Sequence, residues 1–433
     1  MNINEISKYS RIIKNVLTYF IIASIFITGE GFEMNIGFLV YWYHLIYLPF
    51  ILYCLLTYHR VNAKVLLMFM VIVIYSLLTY KVGINLVIKQ LINIGLSTIV
   101  FYNLIVHEKY NFEEVFRKYI VFSKIVLVLG LVQVLLFYAG WGNYFRNAFP
   151  FLWETNMTFR LQSITDEPSF IALTFVPVVF LSLYNLFYRR TYLLGRSWAY
   201  LFVLGYVLTL STVAFLGVII MLLLLYFKNF SVKKLAFSLV AFFCIFYLGF
   251  FIYSNVDFVK LRLDDTLYGV NHDITNEKTY KRIIVSSYAF LSNWFVTKQS
   301  IRENPITGTG LGTHELNYDR YLPSDMLNYL DLNRMDANSM GLRLLSETGI
   351  VGFSFFCFFV VKFKIRSRPF FSRHEEMIWI LNAGIFVFIL LALLRNGNYT
   401  SHGKVLFFLL YYYTFRELRF QLEHVEGNRN LNN

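Results

Sequence analysis

Three stretches of this chain set arginine near a carboxylate or an imidazole, close enough for one side chain to move a proton while another holds an anion. In the first, Arg160-Leu-Gln-Ser-Ile-Thr-Asp166-Glu167-Pro168, a guanidinium and two carboxylates lead into a proline. In the second, Arg343 and Glu347 are four residues apart and share a helix face. In the third, Arg395-Asn-Gly-Asn-Tyr-Thr-Ser-His402, a guanidinium and a titratable imidazole share a short turn. Each has a plainer reading. Proline is well placed at the first helical position, so Asp166 and Glu167 sit at a helix mouth near its positive dipole end, where capping and a salt bridge explain them equally well. Arg343 and Glu347 make a structural ion pair or the floor of a polar cavity. The run Asn304-Pro305-Ile-Thr-Gly308-Thr-Gly310-Leu-Gly312-Thr-His314 has the glycines of a phosphate cradle but not the strand and helix that a cradle requires, so tight turns explain it better.

The elements that must position these groups are membrane spans. Of 433 residues, 57% are apolar and only 15% charged, too little charge for a water-facing surface. A bilayer core about 30 Å thick needs about 20 apolar residues per helix. The apolar runs predict twelve spans, near 12–29, 36–57, 62–80, 85–106, 118–139, 169–188, 196–210, 211–227, 232–253, 339–362, 375–394 and 404–418. Splitting 196–227 at Leu210-Ser211-Thr212 keeps the cluster from Lys362 to Arg373 on the cytoplasmic side. With both termini cytoplasmic, 22 of the 39 Lys and Arg residues then fall in cytoplasmic segments. The net charge of +13 is therefore largely topological, and no nucleic-acid partner is needed to explain it.

The fold class expected is an all-α polytopic membrane protein, a single integral domain over 1–433 with one large outward loop at 254–337. That loop is predicted to carry an amphipathic helix, Glu277 to Glu303, with Tyr280, Ile283, Ile284, Ser287, Tyr288, Leu291, Trp294 and Phe295 on one stripe and Lys281 and Arg282 beside it. It should lie along the membrane surface or over the bundle. The first apolar run has no small-x-small cleavage site and reads as a retained span. Cys54, Cys244 and Cys357 are too dispersed for a disulfide framework or a zinc site, and neither a metal nor a cofactor is expected.

The motif Asn338-xxx-Leu342-xx-Leu345-x-Glu347-x-Gly349-xx-Gly352, preceded by Arg282 and Asn304-Pro305-xx-Gly308-x-Gly310-x-Gly312, resembles the core of the bacterial O-antigen polymerase and O-antigen ligase superfamily. Arg160-xxxxxx-Glu167-Pro168 resembles a segment of its polymerase branch. The likeness runs from Arg160 to His402. It implies a glycosyltransferase of the inner membrane, acting on the periplasmic side, that joins oligosaccharide repeat units carried on polyprenyl diphosphate without a metal or a nucleotide sugar. The ligase-type motif has a histidine where this chain has Asn338, which favours the polymerase branch.

Under that resemblance, a base must take the proton of the incoming sugar hydroxyl and cations must stabilise the departing diphosphate. Glu167 is the first candidate base and Glu347 the second, with His402 and His314 in reserve. Arg160, Arg282 and Arg395, and with them Arg343, Asn338 and His314, are expected to bind diphosphate or glycan. The expected partners are the lipid-linked oligosaccharide, the bilayer and a chain-length regulator. Two other readings stay open: a ligase transferring glycan to lipid A-core, and a flippase for the same lipid. A transporter would spread charges through several spans, whereas the ionisable groups here gather at one face, apart from Lys89 and Lys124.

Overall fold

The computed structural model describes residues 15–27, 33–35, 39–57, 63–108, 111–141, 160–165, 167–228, 247, 253–255, 257–367 and 372–431. Asp166, Cys244 and nearly all of the span expected at 232–253 lie outside these residues. The described chain is built almost wholly of helices. Five are long and apolar enough to cross a membrane: α3 (Ile84–His107), α4 (Phe112–Tyr138), α5 (Pro168–Phe187), α13 (Met340–Lys362) and α14 (Arg373–Leu394). Four shorter helices, α1 (Trp42–Thr57), α2 (Ala63–Thr79), α6 (Arg196–Leu208) and α7 (Thr212–Phe227), coincide with predicted runs, and α15 (Lys404–Leu431) extends beyond one. The expected break between 196–210 and 211–227 falls at Thr209–Ser211, where the Ser211 side chain caps α7 by accepting from Ala214 N.

The most buried helix is α5. It starts at Pro168 as the sequence predicts and packs against α6, α7 and α14. The core contains Phe175, Phe180, Tyr184, Ile385, Phe388 and Phe407, all essentially inaccessible. The outer helices point apolar side chains away from it: Leu56 is 75% exposed, Leu78 80% and Val361 74%. In water such a surface would aggregate. Against lipid tails it is the natural exterior of a span.

Residues 257–332 fold into a helical lobe on α13, comprising α8 (Asp257–Asn271), α9 (Glu277–Arg282), α10 (Val285–Glu303), α11 (His314–Tyr321) and α12 (Ser324–Tyr329). Its own small core joins Ile274, Tyr280, Ile283, Tyr288, Leu291, Tyr318 and Met326.

The all-α expectation holds for the described residues apart from one short pair, β1 (Glu33–Asn35) and β2 (Leu39–Tyr41), antiparallel with Met34 opposite Val40. One expectation is corrected. The helix expected from Glu277 to Glu303 is two, broken where Ile283 and Ile284 adopt extended ψ angles of 148° and 151°. The β-branched run Ile283-Ile284-Val285 is a poor helix former, and the break lets Ile283 enter the lobe core. The predicted stripe therefore divides: Tyr280, Tyr288 and Leu291 are buried while Trp294 is 48% exposed.

Candidate functional site

Helix α13 bends sharply at Gly349, which has φ 62° and ψ −166°. Such a break leaves backbone groups without their helical partners, a severe penalty away from water. The glycine-rich segment supplies those partners. Pro305 O and Ile306 O accept from Ile350 N and Val351 N at 2.9 and 3.1 Å, while Gly310 N donates to Glu347 O at 2.9 Å. Ser346 O accepts from Thr309 N at 3.3 Å and Ser300 Oγ at 3.1 Å, and Tyr75 Oη donates to Thr348 O at 2.7 Å. Gly308 and Gly349 meet back to back: a Cβ on Gly308 would fall 2.6 Å from Gly349 N, and one on Gly349 would fall 2.5 Å from Ile306 O. The glycine run is thus a splice for a broken helix.

Above the break, Ser339 caps α13 and sets Arg343 and Glu347 one turn apart. Both side chains are buried. Arg343 Nε donates to Glu347 Oε1 at 2.8 Å, its Nη1 to Gly397 O at 3.2 Å and its Nη2 to Gln90 Oε1 at 3.1 Å. Its guanidinium also lies 4.5 Å from the centre of the Tyr399 ring. Glu347 Oε2 accepts from Tyr399 Oη at 2.9 Å, and Oε1 accepts from His314 N at 3.3 Å. Burial, with Glu347 beside it, holds the Tyr399 phenol well above its usual range, so it stays a donor.

His314 is enclosed in the same cluster. Its Nε2 lies 2.9 Å from Asn293 Oδ1 and its Nδ1 3.0 Å from Ser346 Oγ. Asn293 donates its amide to Ala289 O and Leu332 O, which leaves Oδ1 to accept and assigns the proton to Nε2. Burial first, and then Arg343, push this imidazole down to about 3. It is neutral near pH 7.

The second neighbourhood forms around the mouth of α5. Glu167, 49% exposed at its side chain, accepts from Ser169 Oγ at 2.7 Å, and its Oε2 lies 4.0 Å from Arg395 Nη2. Arg395 opens the turn between α14 and α15. His402, in the same turn at φ 56°, is buried with its ring 4.7 Å from that of Phe170. Desolvation, reinforced by Lys404, holds it well below the ordinary histidine value. Asn338, also left-handed at φ 57°, accepts from Asn396 N at 2.9 Å through its backbone oxygen. Its buried Nδ2 has no hydrogen-bond partner among the described residues.

Seven of the nine expected side chains are therefore joined through the turn 395–403: Glu167, Arg395, Asn338 and His402 on one side, Arg343, Glu347 and His314 on the other. Two stand elsewhere. Arg160 Nε donates to Thr209 O at 3.1 Å and so helps close the gap between α6 and α7. Arg282 is exposed on α9 with its guanidinium 4.0 Å from the Tyr268 ring centre, and no contact among the described residues ties it to the cluster. Arg343 spends three of its five N–H donors on protein oxygens, through Nε, Nη1 and Nη2. Gln90, Tyr399, Asn396 and Lys404 were missed by sequence reasoning. The last three belong to an amide-rich turn that ends in a lysine at the edge of an apolar run, which is the one signal that pointed to them.

A family model described as O-antigen ligase matches residues 197–357. This stretch of the chain is similar to the O-antigen ligase family. No curated protein matches it. The O-antigen ligase match runs from α6 through most of α13, so it holds Arg282, His314, Asn338, Arg343 and Glu347 and leaves out Arg160, Glu167, Arg395 and His402. Together with the apolar helices, this match points to a multi-pass membrane protein with a segment similar to the O-antigen ligase family.

Proposed function

We propose that this protein is a surface-polysaccharide polymerase of the inner membrane that joins polyprenyl-diphosphate-linked repeat units on the periplasmic side. The observation that carries the reading is the meeting of Glu167 and Arg395, both partly exposed, with Oε2 and Nη2 4.0 Å apart. A carboxylate and a guanidinium at that separation can serve two ends of one displacement. Glu167 takes the proton of the acceptor sugar hydroxyl as its oxygen bonds to the anomeric carbon. The bond from that carbon to the diphosphate breaks, and the electron pair leaves with a phosphate oxygen that Arg395 neutralises. Direct displacement inverts the anomeric centre, by analogy with inverting glycosidases.

The remaining residues take supporting parts. Arg343 and Glu347 position the turn rather than touch substrate. Arg160 and the exposed Arg282 contact the glycan or diphosphate as it approaches, Asn338 offers its unpartnered amide, and neutral His402 and His314 remain reserves for proton transfer. A chain-length regulator is the expected protein partner. The ligase reading is favoured by the description of the matched family model, and the polymerase reading by Asn338 in place of histidine.

Deleting the gene in its host and resolving the surface polysaccharide by size separates the possibilities. A polymerase mutant keeps one repeat unit on its lipid A-core, a ligase mutant shows bare core, and a flippase mutant lacks surface repeats. In a complementing copy, Glu167→Gln and Arg395→Ala should each cut polymer formation at least 100-fold, within the range for loss of a general base or a charge-stabilising group. Long chains at normal protein level from both variants would end this reading.

A further inference from the structure

Lys404 begins α15 and is completely buried. Its Nζ donates to Asn396 O at 2.8 Å, to Asn396 Oδ1 at 2.5 Å and to Asn398 O. All three acceptors are amide oxygens, and no carboxylate pairs with it among the described residues. Burying an ammonium without an ion-pair partner is expensive, and a neutral side chain would brace a turn more cheaply. The side chain's three bonds converge on one turn, which it organises.

What it organises is the turn carrying Arg395. Asn396 follows Arg395 directly and is held at φ 66°, a left-handed conformation that costs an ordinary residue about 1 kcal/mol or more. Lys404 clamps that residue by both its backbone and side-chain oxygens, while Asn396 N is tied to Asn338 O and Ser401 Oγ lies 3.3 Å from Asn396 Oδ1. The direction in which Arg395 leaves α14 is set at this clamp. Asn398, the third acceptor, immediately precedes Tyr399, so the same ammonium also bears on the ring that covers Arg343.

The geometry points to Lys404 as a positioning residue that aims Arg395 at the departing diphosphate beside Glu167. This inference rests on the proposed transfer reaction. Loss of the clamp leaves Arg395 present but misdirected, so neutralisation of the departing diphosphate, and with it turnover, suffers more than binding of the donor.

The test uses full-length protein in proteoliposomes, with polyprenyl-diphosphate-linked repeat unit extracted from the deletion strain as donor. Lys404→Met should lower kcat about tenfold or more, the scale of losing charge-assisted hydrogen bonds, and change the KM for donor by less than threefold. Arg395→Ala should lower kcat by at least as much, and the double variant should be no worse than Arg395→Ala alone, since Lys404 acts through that side chain. A double variant whose kcat effect is the product of the two single effects overturns the inference, as does wild-type kcat in Lys404→Met. Should Lys404→Met fail to accumulate, Lys404→Arg serves in its place: the bulkier fork cannot make the same three-point clamp, so kcat falls with protein at normal level, and an unchanged kcat counts against the inference. If Arg395→Ala itself keeps wild-type KM and kcat, the proposed reaction is what has failed.

Discussion

At the scale of single residues, the cluster shows two different uses of charge. Glu167 and Arg395 are close but partly open to solvent, whereas Arg343 and Glu347 are sealed and bonded to the protein at nearly every polar atom. Removing one member of a sealed pair strands the other, at about 3–5 kcal/mol. Arg343→Ala or Glu347→Ala should therefore lower the folded yield in detergent and the melting temperature, while Glu167→Gln should leave both within about 2 °C of wild type and lose activity only. The buried imidazoles make a further prediction with a definite sign. His314 sits near 3 in the folded protein against an ordinary 6.5, and His402 is depressed in the same direction. Below pH 6.5 the unfolded chain takes up protons that the folded chain refuses, so stability falls as pH drops through that window. Each refused proton costs about 1.4 kcal/mol per pH unit. Thermal melts between pH 7.5 and 5 should show a declining midpoint, and His314→Gln should flatten the decline. A midpoint that does not change with pH would contradict the buried, neutral assignment.

At the scale of elements, the glycines were legible as turns but their partner was not. Glu347-x-Gly349 reads as the middle of an apolar helix, and nothing in a local pattern announces that a loop forty residues earlier will fill the break. Gly349→Ala places a methyl 2.5 Å from Ile306 O at a positive φ, and Gly308→Ala drives one into the backbone of residues 347–349. Each should lower stability by more than about 3 kcal/mol, the range for overpacking added to a left-handed penalty. Fluorescence size-exclusion profiles should show aggregate in place of a monodisperse peak. Gly195→Ala, where a Cβ meets nothing within 4 Å, is the control expected to leave the profile unchanged. The break of 277–303 at Ile283 was equally hidden, because periodicity records which face is apolar and not whether the backbone stays helical between apolar positions.

At the scale of the whole molecule, hydropathy located the long helices to within a few residues, since a lipid-facing exterior writes itself directly into composition. It also drew Arg395 and Glu167 to one end. It could not say which arginines meet, because that depends on how α5, α14 and α15 pack, and Arg282 was grouped with the cluster on sequence order alone. About 30 Å away, at the rise of a 20-residue helix, the other end of α5 holds a second polar knot. Glu376 accepts from the Tyr184 and Tyr192 hydroxyls, and Lys228 lies 3.3 Å from it over the rings of Tyr184, Tyr188 and Trp379. Glu376→Gln should destabilise the protein, since the buried Lys228 loses its half-buried carboxylate partner, with donor KM unchanged. A shifted KM would show that the two ends are coupled.

The lobe is bound to the bundle by more than side-chain contact. Residues 305–310 complete the backbone hydrogen bonding of α13 itself, so the two parts cannot separate without baring amides where there is no water to receive them. A protease cut at the exposed Asp273 should leave both fragments migrating as one particle, and heating should melt lobe and bundle in a single calorimetric step.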